Sequence, residues 1–315
     1  MIMSFGQHLT RTVLVLALSS TVATAQDIKV TLLGTGGVAP VLNRFGASTL
    51  VEAGGRKYLF DAGRGSLLRL TQLGVTWQSI DGVFLTHLHS DHVVGLPDLL
   101  LTGWLVNPGR NRPVRVWGPK GTESMFSHLR SAFEFDIRFR HADDGASAEG
   151  IVVQTREITE GVVFRDGDLT VTAFAVDHRP VTPVFGYRID YRGRSVVLSG
   201  DTRVSENLIR HSSGVDLLIH EVAVRATFER AGVPAARVNA VMDRHVSPQQ
   251  AGEIFARTKP KLAVYSHVGQ STATAEDVIA PTREKYSGPL ELGEDLMVIE
   301  IGDTVQVRRP QRGSR

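Results

Sequence analysis

The segment VFLTHLHSDH, residues 83–92, places four candidate metal ligands directly after an apolar strand. They are His87, His89, Asp91 and His92. Zinc accepts imidazole and carboxylate donors, and a strand-to-helix turn can direct several of them into one pocket. A solvated polar turn is the alternative interpretation. The His-x-His-x-Asp-His spacing after a strand is specific enough to favour a metal site.

Three further candidate ligands occur later in the chain, and each follows an apolar run that predicts a strand. They are His178, Asp201 and His267. His178 could be an ordinary loop histidine, and Asp201 could cap a helix. Since strands that end at one rim bring their terminal residues together, we expect all three to join the first four.

Asp61 ends another predicted strand, Tyr58-Leu59-Phe60, and has two interpretations. Its carboxylate could accept a hydrogen bond from a ligating imidazole and fix the tautomer of that ring. It could equally form the turn before Ala62-Gly63. The sequence leaves these two roles open. The remaining histidines without comparable context, which we expect to be structural, are His8, His128, His141 and His211.

Short apolar runs separated by glycine-rich turns alternate with helical patterns along the chain. Helices are predicted after Gly65, near Pro97 and after Ser247-Pro248. Each half of the chain passes from strands to helices, which predicts an α/β fold with two mixed β-sheets between outer helices. We expect a loop at residues 141–150 to separate the halves. Strands are predicted at residues 28–33, 48–51, 58–60, 83–86, 169–176, 185–191, 195–198, 262–265 and 297–301.

The first 25 residues have the pattern of a secretion signal. Arg11 precedes a short apolar run, and Ala23-Thr24-Ala25 offers a cleavage site before Gln26. The run is too short to span a bilayer, and a buried N-terminal helix is the alternative. We therefore expect a leader at residues 1–25, one folded domain at residues 26–308, a disordered tail at residues 309–315, and a periplasmic or secreted protein.

The motifs together resemble the metallo-β-lactamase superfamily, and within it the branch of ribonuclease Z and arylsulfatase-like enzymes. The resemblance extends from Leu33 to at least His267. Besides the segment at 87–92, the matching motifs are Thr35-Gly36, residues 59–63, residues 95–97, His178, residues 199–202, His220-Glu221, residues 245–247 and Ser266-His267. The resemblance implies a hydrolase with a four-layer αββα sandwich.

The same resemblance implies a ligand set for two zinc ions. The first ion would be bound by His87, His89 and His178. The second would be bound by Asp91, His92 and His267. Asp201 would bridge both ions, which would lower the pKa of bound water toward about 7 and so supply the nucleophile. Manganese and iron suit the same donors.

The resemblance also implies an acid for the leaving group. In ribonuclease Z-like enzymes a histidine at the position of His245 pairs with a glutamate at that of Glu221, which would orient the ring and stabilise its cationic form. With Asp91, these are the expected catalytic residues. The alternative for His245 is a surface histidine before a helix cap at Ser247. Candidate walls of the substrate pocket are Trp104, Phe133 and Phe228.

Charge and chain length influence the choice among the superfamily's reactions. The chain has 35 Lys and Arg against 33 Asp and Glu, a formal net charge of +2, which predicts no nucleic-acid-binding surface, although a local basic patch is compatible with this balance. It has no cysteine, which excludes the thiolate ligand of some β-lactamases. Only 22 residues separate His178 from Asp201, where ribonuclease Z enzymes usually insert an arm that grips transfer RNA.

We therefore expect an exported dinuclear-zinc hydrolase of small sulfate or phosphate esters, with no nucleic acid and no membrane among its partners. The enzymatic alternative is a lactone or β-lactam hydrolase on the same site. The non-enzymatic alternative is a metal-binding or scaffold protein that has lost turnover. The oligomeric state stays open, and a homodimer is common in this superfamily.

Overall fold

The computed structural model describes residues 27–106, 109–269 and 273–310. The predicted leader and residues 311–315 of the predicted tail lie outside this range. Among the residues described, none of the helices has the length and apolar character needed to span a bilayer.

Two mixed β-sheets, of eight and seven strands in the described residues, form the centre of the fold. The strands of the first sheet are Ile28–Gly34 (β1), Ser48–Ala53 (β2), Arg56–Phe60 (β3), Gly82–Phe84 (β4), Val114–Gly118 (β5), Val153–Glu157 (β6), Val298–Ile301 (β14) and Val305–Arg308 (β15). Those of the second are Gly161–Asp166 (β7), Leu169–Ala175 (β8), Phe185–Tyr191 (β9), Arg194–Leu198 (β10), Leu217–Ala223 (β11), Leu262–Gly269 (β12) and Leu290–Leu292 (β13). The spatial orders are β15-β14-β1-β2-β3-β4-β5-β6 and β13-β12-β11-β10-β9-β8-β7.

The helices connect these strands and cover the outer faces of the sheets. They are Ser66–Gln72 (α1), Ser90–Val93 (α2), Leu96–Leu105 (α3), Thr122–Ala132 (α4), Glu134–Ala142 (α5), Glu206–His211 (α6), Arg225–Arg230 (α7), Ala235–Met242 (α8), Pro248–Thr258 (α9) and Ala275–Arg283 (α10), with a short 3₁₀ helix at Trp77–Ser79. The predicted helices after Gly65, near Pro97 and after Ser247-Pro248 correspond to α1, α3 and α9.

An aromatic core lies between the sheets. Phe60 and Phe84 of the first sheet stack at 4.9 Å, and both contact Tyr187 of the second sheet edge-on at 5.4 and 5.7 Å. On the outer face of the first sheet, Leu70 of α1 and Leu99 of α3 are fully buried in a second cluster. A third cluster packs α6 and α9 against the second sheet. Burial of these faces produces a four-layer αββα sandwich. The fold expected from the sequence is therefore confirmed.

The boundary between the halves lies elsewhere than the sequence predicts. The loop at residues 141–150 follows α5, but the next strand, β6, still pairs with β5 in the first sheet. The chain crosses to the second sheet only after Glu157. A polar, glycine-containing loop indicates a break in regular structure, and local composition does not show which sheet receives the following strand. The expectation of a boundary at residues 141–150 is therefore wrong.

Parallel strand pairs bring the candidate site residues to one rim. Strand β4 lies parallel to β3 and β5, and β10 and β12 lie parallel to β11 on either side of it. Segment 86–92, Asp201 and His267 lie at the carboxyl ends of β4, β10 and β12, where the two sheets meet. At this junction Phe185 N–H donates to Thr86 C=O at 3.0 Å. The sheet junction thus forms the floor of the site.

A buried carboxylate fastens the last part of the chain to a loop at the same rim. Asp295 accepts hydrogen bonds from Thr35 N–H and Thr35 Oγ1, both at 2.9 Å, and from Phe45 N–H at 2.8 Å. It also forms an ion pair with Arg69 at 2.9 Å. Because Thr35 C=O in turn accepts from Val268 N–H at 2.9 Å, this clamp supports the end of β12.

Candidate metal centre

The seven candidate ligands meet at the rim in two groups. Within each group, the ligand atoms lie within 4.8 Å of one another. The first group consists of His87, His89, His178 and Asp201, and the second of Asp91, His92 and His267. All except the half-exposed His89 are buried. The structure therefore brings together all seven residues that the sequence singles out.

Asp201 lies between the two groups and presents one oxygen to each. Its Oδ2 is 3.8 Å from His87 Nε2 and 3.9 Å from His178 Nε2. Its Oδ1 is 3.4 Å from His92 Nε2 and 3.6 Å from His267 Nδ1. A carboxylate with its oxygens divided in this way can bridge two cations.

Several polar atoms at the centre of the cluster have no partner in the residues that the structure describes. They are His87 Nε2, His92 Nε2, His267 Nδ1 and Asp201 Oδ1, and all four are buried. Leaving one such atom unpaired costs about 1–3 kcal/mol. Nitrogen and carboxylate donors are those of divalent transition-metal sites. The unpaired atoms and the donor set together fit a divalent metal site.

Asp61 combines the two roles that the sequence leaves open. Its backbone is left-handed (φ 56°), as a tight turn requires. Its Oδ1 accepts from Thr86 N–H at 2.8 Å, while Oδ2 lies 2.8 Å from Thr86 Oγ1 and 2.7 Å from His92 Nδ1. Because Nδ1 of His92 donates to this carboxylate, the neutral ring carries its proton on Nδ1 and leaves the lone pair that a metal needs on Nε2.

Thr86 performs a similar function for His87, and sequence reasoning missed it. Its hydroxyl proton goes to Asp61, so at 3.0 Å from His87 Nδ1 the hydroxyl oxygen can only accept. His87 Nε2 is then free of its proton and faces the cluster. The only sequence signal for Thr86 was its place at the end of β4, beside the ligands.

The two groups differ in protonation. Burial lowers the pKa of His87, His89 and His178, so these rings are neutral and able to bind a cation. Burial also opposes a charge on His92, but Asp201 and Asp61 outweigh it and raise the pKa. His267 behaves in the same way beside Asp201. A cation entering the second group therefore has to displace protons.

His245 lies next to the cluster and is held by Glu221. The distance from His245 Nδ1 to Glu221 Oε1 is 3.1 Å, and the His245 ring lies 4.9 Å from that of His178, centroid to centroid. Burial favours the neutral ring, but the charge and hydrogen bond of Glu221 outweigh it and raise the pKa of His245 to about 9. Since Nδ1 is occupied, Nε2 is the nitrogen that can reach a substrate.

A cavity of about 510 Å³ opens beside His245 and His267. Its outer wall comes from α7, α8 and the turn between them, and includes Phe228, one of the three predicted wall residues. The other two lie elsewhere, because Phe133 lines a cavity against α4 and β6, and Trp104 is buried under the loop that carries Ser147. No periodic or motif signal identified the α7–α8 wall.

Known proteins show which family this architecture belongs to. The model of a family described as Beta-lactamase superfamily domain matches residues 56–268. A Ribonuclease Z from Mycolicibacterium gilvum is 37% identical over 281 residues, which cover 87% of this chain and 96% of that protein. The crystal structure of human tRNase Z, short form, has a TM-score of 0.64 at 26% identity and covers 87% of this chain and 99% of that one. The metallo-beta-lactamase fold protein YhfI from Bacillus subtilis has a TM-score of 0.67 at 20% identity, covering 86% and 98%.

These relatives overturn two expectations. The small sulfate or phosphate ester as substrate, with lactone or β-lactam as its alternative, is wrong, because relatives at 35–37% identity are named Ribonuclease Z. The exclusion of nucleic acid is wrong for the same reason. Net charge is a sum over the whole surface and does not show where individual charges lie. Arg237, for example, lies at the cavity beside the cluster.

The chain-length argument against ribonuclease Z also fails. The alignment with the Mycolicibacterium gilvum protein is 281 residues long and uses 87% of this chain of 315, about 274 residues. A protein named Ribonuclease Z thus matches this chain over 96% of its own length, so the short segment between His178 and Asp201 is no ground for excluding that branch. The fold, the clustered ligands and these relatives agree, and the chain belongs to the metallo-β-lactamase superfamily of hydrolases, in the branch that contains Ribonuclease Z.

Proposed function

We propose that this protein is a metal-dependent ribonuclease that hydrolyses a phosphodiester bond of RNA, with transfer RNA precursors as the first substrates to test. The observation that carries the proposal is the division of the Asp201 oxygens between two ligand groups, next to the His245–Glu221 pair. A phosphodiester needs both elements, because its charge resists a nucleophile and its leaving alkoxide needs a proton. The likeness to enzymes named Ribonuclease Z supports RNA as the substrate.

Two zinc ions are the proposed cofactors, and the two ligand groups support that number. The first ion would be held by His87, His89 and His178, the second by Asp91, His92 and His267, with Asp201 shared. Bound at these positions, such ions supply the Lewis acidity that activates water near neutral pH and offsets phosphate charge. Manganese and iron remain alternatives for the same donors.

The side chains around the cluster support the remaining steps. Neighbouring imidazoles lower the pKa of Asp91 despite its burial, so its carboxylate stays ionised and can accept a hydrogen bond from the attacking water. As the water oxygen bonds to phosphorus and releases a proton to the solvent, the bond from phosphorus to the leaving oxygen breaks. Protonated His245 donates its Nε2 proton to that oxygen, and Glu221 stabilises the ring beforehand. The products are one hydroxyl end and one phosphate monoester.

The test combines metal content with cleavage of a 3′-extended transfer RNA precursor, using mature transfer RNA and p-nitrophenyl sulfate as comparison substrates. We expect about two zinc ions per chain and cleavage of the precursor alone. Asp91→Ala should abolish cleavage. His245→Ala should lower kcat about 10²–10⁴-fold, whereas the matched control His128→Ala, a surface histidine on α4, should not.

Three outcomes would contradict the proposal. One is a metal-loaded protein that leaves every RNA intact. Another is RNA cleavage that does not respond to Asp91→Ala, which would indicate a contaminating nuclease. Cleavage of the sulfate ester in preference to RNA would count against the proposal as well.

The leader over residues 1–25 remains part of the proposal, since these residues lie outside those that the structure describes. A processed leader would deliver the enzyme to RNA outside the cytoplasm. N-terminal sequencing of protein from the periplasmic and cytoplasmic fractions tests this. A mature protein that starts at Gln26 supports export, and one that keeps residues 1–25 in the cytoplasm contradicts it.

A further inference from the structure

The cavity beside the metal cluster has a composition that the proposed chemistry does not use. Among its described lining residues, the only polar or charged side chains are those of Arg237, His245 and His267. The others are glycine, alanine, proline, valine and one phenylalanine. At about 510 Å³, the cavity has the size of a small-molecule binding site, and such sites are mostly apolar with a few polar groups.

The apolar wall of this cavity is already packed in place. Val238 of α8 is fully buried, and Phe228 of α7 is only 8% exposed, in a cluster with Ala223 at the end of β11. Arg225 joins the two helices through a 2.9 Å hydrogen bond to the Asn239 side chain. A wall that is rigid before the ligand arrives costs little ordering entropy on binding. The wall therefore offers a preformed apolar surface to a ligand.

Two glycines, Gly37 and Gly269, line the cavity beside the cluster. A β-carbon on Gly37 would lie 3.5 Å from His267 Cε1. Gly269, which also lines the cavity, leaves its floor without a side chain. A group held in the cavity can therefore lie directly against the ligand His267 and the acid His245.

Arg237 adds one uncompensated positive charge to this cavity. It is exposed on α8, and its side chain forms no ion pair or hydrogen bond with any residue of 27–106, 109–269 or 273–310. Arg230 on α7, by contrast, is neutralised by Asp277 at 2.7 Å. An unpaired guanidinium next to an apolar space is suited to a nucleotide, whose phosphate can pair with the guanidinium while its base occupies the apolar space.

We propose that this cavity binds the nucleoside that carries the leaving oxygen. Its base would lie against the α7–α8 wall, and its other phosphate, the one away from the scissile bond, would lie on Arg237. The side of the scissile bond follows from His245, which borders the cavity and protonates the leaving oxygen. The identity of the ligand rests on the ribonuclease activity proposed above. Base recognition by apolar contact is tolerant of sequence, so the pocket would accept any of the four bases.

The test measures binding rather than cleavage, by calorimetry on the metal-loaded protein. The probes are adenosine, its 5′- and 3′-monophosphates, and ribose 5-phosphate. We expect the better-bound adenosine monophosphate to bind about tenfold or more tightly than ribose 5-phosphate, because only the nucleotide has a base. The isomer that binds more tightly also shows whether the phosphate on Arg237 is attached to the 5′ or the 3′ oxygen of the ribose, which gives the direction of the RNA strand in the site.

Two variants with matched controls locate the binding. Ala231→Trp places an indole in the cavity from an exposed lining position, so it should remove the advantage of the base, whereas Ala236→Trp, exposed but not lining the cavity, should not. Arg237→Gln should weaken the nucleotide about fivefold or more and leave adenosine within about twofold. Arg138→Gln on α5 makes the same change of net charge and should have no effect.

The outcomes separate this inference from the proposed function. Equal binding of nucleotide and ribose 5-phosphate, or equal effects of Ala231→Trp and Ala236→Trp, would overturn the pocket even if the protein cleaves RNA. Selective nucleotide binding that depends on Ala231 and Arg237 would support the pocket even if no precursor is cleaved, and the failure would then belong to the proposed ribonuclease.

Discussion

Replacing Asp61 by Asn should disturb the metal site without disturbing the backbone. Asparagine tolerates the left-handed φ of 56° at this position, and its Oδ1 can still accept from Thr86 N–H. Its amide nitrogen, however, now faces Thr86 Oγ1 and His92 Nδ1, where the carboxylate accepted two hydrogen bonds. His92 Nδ1 then has to accept, so the proton moves to Nε2, the atom that faces the cluster.

The same substitution reaches His87 through Thr86. A hydroxyl that accepts from the new amide turns its own proton toward His87 Nδ1, 3.0 Å away. Both groups of ligands then hold a proton on an atom that a metal requires. Loss of such an orienting partner usually lowers metal affinity or activity 10–100-fold, and we expect about that loss here. In free energy this is about 1.4–2.8 kcal/mol.

The assay is a zinc competition titration against a chromophoric chelator, with thermal unfolding of the metal-free protein measured in parallel. The matched control is Asp216→Asn, which alters a similarly buried carboxylate at the ends of β10 and β11 opposite to the metal cluster. Asp216 accepts from Ser195 N–H at 2.8 Å and forms an ion pair with Lys261 at 2.7 Å. The control substitution should lower the free energy of unfolding by about 1–3 kcal/mol and leave zinc affinity unchanged. Zinc affinity in Asp61→Asn within about twofold of wild type would refute the tautomer argument.

Three further outcomes follow from the structure. Glu221→Gln should shift the alkaline limb of the pH–rate profile to lower pH, because His245 must be protonated to donate and Glu221 raises the pKa of His245 to about 9. Bound cations lower that pKa in the metal-loaded enzyme. An unchanged limb would count against His245 as the acid. Zinc affinity should rise with pH and zinc binding should release protons, since His92 and His267 have raised pKa values without metal. Calorimetry in buffers of different ionisation enthalpy measures the number of protons released, and a value of zero would contradict the prediction. Gly63→Ala should lower the free energy of unfolding by about 1–3 kcal/mol in denaturant titrations, because its β-carbon would lie 2.3 Å from the carbonyl oxygen of Asp91. Unchanged stability would show that the segments carrying Gly63 and Asp91 can move apart.

The candidate ligands could be predicted from sequence because each one follows a strand. The residues at 87–92, Asp201 and His267 end β4, β10 and β12, and strand ends are visible as the point where an apolar run meets polar residues. The fold class followed from the same alternation of strands and helices. These features are local in sequence, and parallel pairing alone is enough to bring them together.

Apart from Phe228, the cavity wall could not be predicted in this way, and neither could the sheet boundary. Phe228 and Arg237 lie on short helices whose packing against β11 depends on contacts distant in sequence. Strand β6 continues the first sheet after a loop that looks like a linker. The substrate was predicted wrongly because net charge and loop length are properties of the whole chain, whereas RNA binding depends on a few charges at one place.

The pairing of β14 with β1 has a consequence for synthesis of the protein. A growing chain that has left the ribosome as far as His267 already holds all seven candidate ligands. Strand β1 then still has one open edge, because its neighbour at Val298–Ile301 and the Asp295 clamp have not yet emerged. Until those residues emerge, that edge is exposed to pairing with other nascent chains. The strands that contribute nothing to the chemistry therefore determine when the first sheet is complete.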